Sequence, residues 1–324
     1  MMHVTDAQRL IASIQHAMEA VIVGQQAVLH QVVTAVIADG HVLLEGAPGL
    51  AKTTLVRELA TLLNVPFGRV QCTPDLLPSD VVGTMVLADD QPGQYRLTFA
   101  PGPIFASLLL VDEINRTTPR TQSALLEAMQ ERTVTVAGVT HPLPRPFIVM
   151  ATQNPIEMEG TYPLPEAQQD RFLYQVLISY PTHADLVEIA RREAGAPPTQ
   201  GVALCDADTL AEIRGVARQI VVADHLLAYA ASVVQATHPD APQSDALVRE
   251  SVRYGASPRA VQALIRTAQV EALRAGRLQV DFADIQAVAL PVLRHRIVLR
   301  REAQVRQLRS DEIVHHILSR LPAI

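Results

Sequence analysis

Apolar positions along the first 38 residues recur at helical spacing. Leu10, Ile11, Ile14, Ala17, Met18 and Val21 fall on one face after a cap at Thr5 or Asp6, and Gly24 ends that helix. A second helix is expected over Gln26–Ala38, stopped by Asp39-Gly40. The pattern then changes. His41–Glu45, Leu108–Val111, Phe147–Ala151 and Leu173–Ile178 are short, nearly continuous apolar runs, and Val65–Cys72 is a further strand candidate. Such runs lack the in/out alternation of a half-buried strand, so they read as strands of a parallel sheet covered on both faces. Between them lie helical stretches, Leu55–Leu63 and Pro119 to about Gln130, the latter opened by Thr118 as a cap and Pro119 in the first turn. The fold class is α/β, a parallel sheet sandwiched by helices over residues 1–180. From Pro181 to Ile324 only helical periodicity remains, with breaks near Gly195–Gly201, His238–Gln243 and Gly255–Pro258, so residues 181–324 are expected to form a smaller all-α domain.

Two stretches do not fit a compact sheet. Thr73–Phe105 is rich in Pro, Gly and Asp and too long for a plain connection, so a hairpin-bearing insert is expected over about 73–105. Thr133-Val134-Thr135-Val136-Ala137-Gly138 alternates with period two and turns at Gly138, which predicts a second hairpin over about 132–146.

The chemistry concentrates at the ends of the apolar runs. Gly46-Ala47-Pro48-Gly49-Leu50-Ala51-Lys52-Thr53-Thr54 sits between a strand and a helix. Glycines there let several backbone N–H groups converge, and the following helix aims its positive end at the same point, making an anion site. Lys52 would neutralise phosphate charge, and the Thr53 hydroxyl would ligate Mg²⁺. The strict pattern has Gly before the Lys; Ala51 replaces it and is acceptable with helical φ/ψ. A Gly-Ala-Pro-Gly turn alone fits any helix start. The second half appears at Asp112-Glu113, two acids at the C-terminal end of the most apolar run, where such sheets bind ligands. Asp112 would hold the Mg²⁺ shell and Glu113 would polarise the attacking water. Asn154 places an amide at the end of the Phe147 strand, beside the acids. The turn Val23-Gly24 could lean over an adenine ring, although spacing alone favours ordinary packing.

Composition narrows the partners. The 324 residues are 48% hydrophobic but only 4% aromatic, with no Trp, which suits helices on a parallel sheet. Lys+Arg number 27 against 33 Asp+Glu, a net charge of −6, and this disfavours wholesale nucleic-acid binding. Cys72 and Cys205 are far apart and read as buried small hydrophobes rather than a zinc or disulfide pair. The N-terminus lacks signal-peptide features and no apolar run approaches membrane-spanning length, so a cytoplasmic protein with no membrane segment is expected.

The chain resembles the MoxR family of AAA+ ATPases. The resemblance is carried by Gly46–Thr53, Cys72-Thr73-Pro74-Asp75-Leu76-Leu77-Pro78-Ser79-Asp80, Gly102-Pro103-Ile104-Phe105, Asp112–Arg116, Ala151–Pro155, Tyr162–Gln168 with Asp170-Arg171-Phe172, and Gly255–Ala260. That family itself carries Ala at the position of Ala51. The resemblance implies an AAA+ P-loop NTPase core followed by an all-α lid, using ATP/ADP and Mg²⁺. The phosphate loop Gly46–Thr54 with Asp112 would hold the nucleotide, the Val23-Gly24 turn would lie at the base, and Thr53 and Asp112 would serve the metal. Asn154 would be the first sensor, and Glu113 the catalytic carboxylate that polarises the attacking water. Arg171 would be a finger reaching a neighbouring subunit, and Arg259 a second sensor contacting its own subunit's γ-phosphate. A finger supplied in trans implies a homo-oligomeric ring, the family's hexamer. The two hairpins match the helix-2 and pre-sensor inserts, which in this clade engage partners.

On the same ground the load is expected to be a client protein undergoing chaperone-like remodelling, complex assembly, or metal or cofactor insertion, with a von Willebrand A-domain protein as partner. The alternatives are a motor on nucleic acid or a chelatase-like subunit, or a slow nucleotide-gated binding module. The net charge and the lack of a Lys/Arg cluster in the hairpins argue against nucleic acid. Arg294-His295-Arg296 also occurs in relatives, without a chemical account; a packing role for His295 is favoured over metal ligation.

Overall fold

In the computed structural model, which describes residues 2–91, 94–154, 160–194, 201–242 and 244–321, the elements follow the expected order. Helices α1 (Val4–Val21) and α2 (Gln26–Ile37) lead to β1 (Val42–Glu45), α3 (Lys52–Leu62) and β2 (Phe67–Gln71). Then come α4 (Pro78–Val82), β3 (Gly83–Gln91), β4 (Gln94–Pro101), β5 (Leu108–Asp112) and α5 (Pro119–Glu131). The hairpin β6 (Thr133–Val136) and β7 (Val139–Pro142) precedes β8 (Ile148–Gln153), α6 (Glu166–Gln169) and β9 (Tyr174–Leu177). The remainder holds α7 (His183–Ala194), α8 (Ala207–Gln219), α9 (Asp224–Ala236), α10 (Ala246–Ser251), β10 (Val252–Tyr254), α11 (Pro258–Arg274), α12 (Phe282–Leu293), β11 (Val298–Leu299), α13 (Arg301–Val305) and α14 (Ser310–Arg320).

The main sheet is five-stranded and parallel, in the order β2-β5-β8-β1-β9. Its side chains alternate between two cores, as a period of two demands. Val42, Leu44, Leu108, Leu110, Ile148, Met150, Tyr174 and Val176 pack under α1, α2 and α3. Leu43, Leu109, Val111, Val149 and Ala151 pack under α5 on the other face. Both faces are covered at the centre of the sheet, so β5 is buried at every residue, while the edge strand β2 leaves Arg69 and Gln71 exposed. From β1 the chain goes out to the edge at β2, returns through β5 and β8, and places β9 on the far side of β1. The crevice beyond the C-terminal end of β1 is therefore a topological switch point, where open α/β sheets bind ligands.

Both expected hairpins are present: β3 pairs with β4, and β6 with β7, each antiparallel. His141 of β7 stacks on Phe99 of β4 with centroids 4.1 Å apart, which ties the two inserts together. Several boundaries differ from the sequence reading. The first helix begins at Val4 after His3, so Asp6 lies inside its first turn, where an acid favours the helix dipole, instead of capping it. Thr118 occupies the cap position of α5, yet its side chain makes no capping bond. The fourth sheet strand runs on to Gln153, because Glu45 pairs opposite it in β1. The helical second half also carries a small ladder, Val252 opposite Leu299 and Tyr254 opposite Val298. Expectations resting on Pro155, on residues 195–200 and on Gln243 lie outside the described residues.

Candidate active site

The C-terminal ends of β1, β5 and β8 open into a cleft of about 350 Å³ lined by Pro48–Thr54, Asp112, Glu113, Thr152 and Asn154, together with Arg69 and Gln71 from β2. The phosphate loop closes tightly. Gly46 donates its N–H to the Gln153 carbonyl (3.3 Å), and a Cβ on Gly46 would lie 2.9 Å from the Ile178 carbonyl oxygen, so this position has no room for a side chain. Gly49 turns the loop at φ +81°. Ala51 departs from the sequence expectation: it is not helical but left-handed, at φ 55° and ψ 22°, just before α3 starts at Lys52. A methyl-bearing residue there carries backbone strain that Gly would avoid.

Lys52 folds back so that Nζ donates to the Gly46 carbonyl at 2.6 Å. Desolvation lowers its pKa, while Asp112, Glu113 and Glu45 oppose that shift. A partly dehydrated ammonium held over a ring of backbone donors is primed for phosphate oxygens. Asp112, buried at the end of β5, accepts from Arg69 Nε at 2.8 Å and from the Thr152 hydroxyl at 3.2 Å. Glu113 follows in the left-handed region, at φ 56° and ψ 51°. Its N–H donates to Thr152 Oγ1 (2.8 Å), and its carboxylate accepts from Gln71 Nε2 (3.2 Å) and Arg116 Nη1 (3.1 Å). Thr152 thus braces both acids from the neighbouring strand.

Asp112, the Thr53 hydroxyl and the phosphate loop share this cleft, an oxygen donor set suited to Mg²⁺, which takes few protein ligands and completes its shell with water and substrate phosphates. Among the described residues no group of three or more His, Cys, Asp or Glu could hold a metal by itself. His295 is buried, with Nε2 against the Phe172 carbonyl at 3.1 Å, and burial pushes its pKa well down.

Beside the cleft lies a largely apolar cavity of about 440 Å³, between Val21–Val23, the loop residues Gly49–Ala51, and Pro181 and Ile189 at and beyond the end of the sheet. It has the size and character for a purine. Val23 lines it. Gly24 does not; its role is close approach, since at φ +71° a Cβ would sit 2.3 Å from Asp185 Cγ near the start of α7.

Arg171 and Arg259 lie elsewhere. In the parallel pairing Val42 stands opposite Tyr174, so Arg171, just before β9, belongs to the N-terminal edge of the sheet, opposite the phosphate cleft. Arg171 Nη1 donates to the Leu126 carbonyl at 2.7 Å. Arg259 does not line the cleft of its own chain, against the sequence expectation. The Ser257 hydroxyl, which caps α11, donates to Asp170 at 2.8 Å and pins the helix start to the segment carrying Arg171; Arg259 itself lies 3.8 Å from Asp170. The two arginines share one cavity of about 380 Å³.

Sequence reasoning missed Arg69, Gln71 and Thr152. The only signal was position: Gln71 stands opposite Asp112 in the register, two residues beyond Arg69 on the same face of β2.

Residues 41–174 match the sequence model described as the ATPase family associated with various cellular activities (AAA), and residues 244–317 match an AAA lid domain. The chain is 41% identical over 298 residues to Chaperone MoxR1 of Mycobacterium tuberculosis, covering 92% of this chain and 78% of that protein. It is 32% identical over 339 residues to Protein MoxR of Paracoccus denitrificans, covering 94% of each. A crystal structure of a candidate ATPase from Cytophaga hutchinsonii superposes with a TM-score of 0.92 at 37% identity, covering 99% of this chain and 97% of that one.

Proposed function

Since this chain belongs to the MoxR family of AAA+ ATPases, we propose that it hydrolyses ATP in sites shared between copies of a homo-oligomeric ring, a hexamer, and spends the cycle on remodelling a client protein. The observation that carries this reading is the separation of the catalytic parts. Lys52, Thr53, Asp112, Glu113 and Asn154 meet in one cleft, while Arg171 and Arg259 sit together at the opposite edge of the same sheet. One copy cannot bring both halves to one phosphate; a head-to-tail neighbour can, and repeated head-to-tail contacts close into a ring.

In the shared site the Gly46–Thr54 loop and Lys52 bind the phosphates of ATP, Thr53 and Asp112 hold Mg²⁺, and Val23 packs on the base. Held there, Mg²⁺ would supply charge neutralisation at the phosphates. Glu113, oriented by its bonds to Gln71 and Arg116, accepts a proton from the attacking water, and Asn154 positions that water. Arg171 and Arg259 of the neighbour stabilise the charge that develops on the γ-phosphate; an arginine of this kind is worth about 10³–10⁵ in rate in comparable systems. Residues 1–180 act as the core and 181–324 as the lid.

A protein client is favoured over nucleic acid. The β3–β4 hairpin exposes Leu87, Tyr95 and Leu97, and the net charge is −6. Exposed apolar side chains suit a protein surface, and a duplex calls for a basic one. A von Willebrand A-domain protein is the partner proposed, and the cytoplasm the compartment. Among the described residues no helix is long and apolar enough to cross a membrane. The decisive test mixes Glu113→Gln with Arg171→Ala. Each alone should be nearly inactive, and the mixture should regain ATPase activity, because some interfaces then pair an intact cleft with an intact finger. An active Arg171→Ala protein whose rate per subunit ignores concentration would sink the shared-site reading. Capture under ATP-trapped conditions should return the A-domain partner; its absence would count against that part alone.

A further inference from the structure

The cavity that holds Arg171 and Arg259 contains more positive charge than its surroundings balance. Arg171, Arg259, Arg266 and Arg296 line it, against the single carboxylate of Asp170. Arg296 is already committed: Nε bonds Asp170 at 2.9 Å, and its remaining donors go to the carbonyls of Asp170, Phe172, Leu173 and Val292. Asp170 also accepts from Ser257, which leaves little capacity for the other three guanidinium groups.

Arg266 is the least accounted for. It follows Arg259 by seven residues on α11, two turns along the same helical face, with Gln262 and Ala263 between them in the cavity wall. Among the described residues it makes no hydrogen bond and no ion pair within bonding distance. The acid whose charge acts on it is Asp39, which is held by Arg132 at 2.7 Å and Arg214 at 2.8 Å, with Arg218 at 3.8 Å. Arg266 is exposed, yet desolvation still lowers its pKa, Asp39 opposes that shift, and Arg218 and Arg132 reinforce it. Three guanidinium groups with spare donors around one cavity make a site for a multivalent anion, and planar forked donors match phosphate oxygens in pairs.

We propose that Arg266 is a third catalytic arginine of the shared site, contacting the phosphates of the nucleotide bound by the neighbouring copy alongside Arg171 and Arg259. This rests on the shared-site reading above. The continuity of the cavity selects the nucleotide over a free anion: Arg266 lines the same wall as the two arginines directed at the neighbour.

The experiment uses Arg266→Gln in the full chain, alone and mixed in equal amounts with Glu113→Gln, beside the same mixture made with Arg171→Ala. Alone, Arg266→Gln should lose at least about tenfold in ATPase rate per subunit, the order expected when one charge-assisted contact is removed. It should bind a non-hydrolysable ATP analogue as the parent does when diluted to single copies, because Arg266 is no part of its own cleft. Mixed with Glu113→Gln, activity should return at about a quarter of the interfaces, those pairing an intact Arg266 with an intact Glu113. Arg266→Lys, which keeps the charge, should retain part of the rate and serves if the Gln variant does not fold. A parental rate for Arg266→Gln overturns the proposal. So does a loss that the mixture fails to restore while the Arg171→Ala mixture succeeds, since Arg266 would then act within its own copy. If neither mixture recovers, the shared site itself is wrong.

Discussion

Thr152 is the buried hinge of the acid pair, and replacing it by Val tests that role with almost no change in volume. The residue is 2% exposed, its hydroxyl donates to Asp112 Oδ1 at 3.2 Å, and it accepts the Glu113 N–H at 2.8 Å. Thr152→Val deletes both bonds. A buried N–H left without a partner costs about 1–3 kcal/mol, and a bond to an ionised acceptor is worth about 1.5–3 kcal/mol, the 3.2 Å bond belonging at the low end. Together they predict a loss of about 3 kcal/mol in urea unfolding. Glu113 would also lose what fixes its left-handed backbone, so its carboxylate should drift from its place. Because the Thr152 hydroxyl bonds the two acids and not the phosphate loop among the described residues, nucleotide affinity should change by less than about threefold while kcat falls by about tenfold, the split expected when a group acts through the transition state. Thr152→Ser should recover most of both effects. A Val variant that keeps its kcat and loses under about 1 kcal/mol would refute the assignment of Thr152 as the brace.

Two further outcomes follow from backbone and charge. Ala51→Gly should stabilise the protein by about 0.5–1 kcal/mol in thermal or urea unfolding, because relief of the left-handed strain outweighs the entropy that Gly adds to the unfolded chain, and nucleotide affinity should be unchanged. His41 uses both ring nitrogens as a neutral ring, Nε2 against the Met129 carbonyl (3.1 Å) and Nδ1 accepting from the Val149 N–H (2.9 Å), and burial pushes its pKa down from 6.5 to about 4. With the folded value depressed, the unfolded chain takes up the proton first. Stability is full above pH 6.5 and falls by up to about 3 kcal/mol as pH drops toward 4, and His295 acts with the same sign. Urea unfolding of the parent and of His41→Gln across this range should show the slope flattened in the variant.

The sheet, the phosphate loop and the acid pair were legible because each depends on local pattern: apolar runs covered on both sides, a glycine turn between strand and helix, acids at a strand end. Even Asn154 was placed correctly beside the acids by the strand that precedes it. What was not legible depends on register and docking. Arg69 and Gln71 reach the acids only because β2 pairs with β5 in one particular register. The placement of Arg259 depends on where α11 docks, and that is set by the Ser257–Asp170 bond, eighty-seven residues apart in the chain. Ala51 looked tolerable for the wrong reason; its methyl is accommodated at positive φ, which no neighbouring residue type announces.

The Arg294-His295-Arg296 segment, silent as sequence, has a mechanical meaning. Arg296, 3% exposed, and His295 together hold the carbonyls of Asp170, Phe172 and Leu173, while Arg294 pairs with Asp311 at 3.0 Å. Breaking such a buried charged junction costs several kcal/mol, more than a modest tilt of packed helices. The end of α12 and the arginine-bearing segment therefore move as one lever, hinged on the edge strand β9. Linkage between two sites is reciprocal. In the proposed ring, a torque on the helical half of one copy would reach the nucleotide of the next, and the state of that nucleotide would be reported back along the same arm.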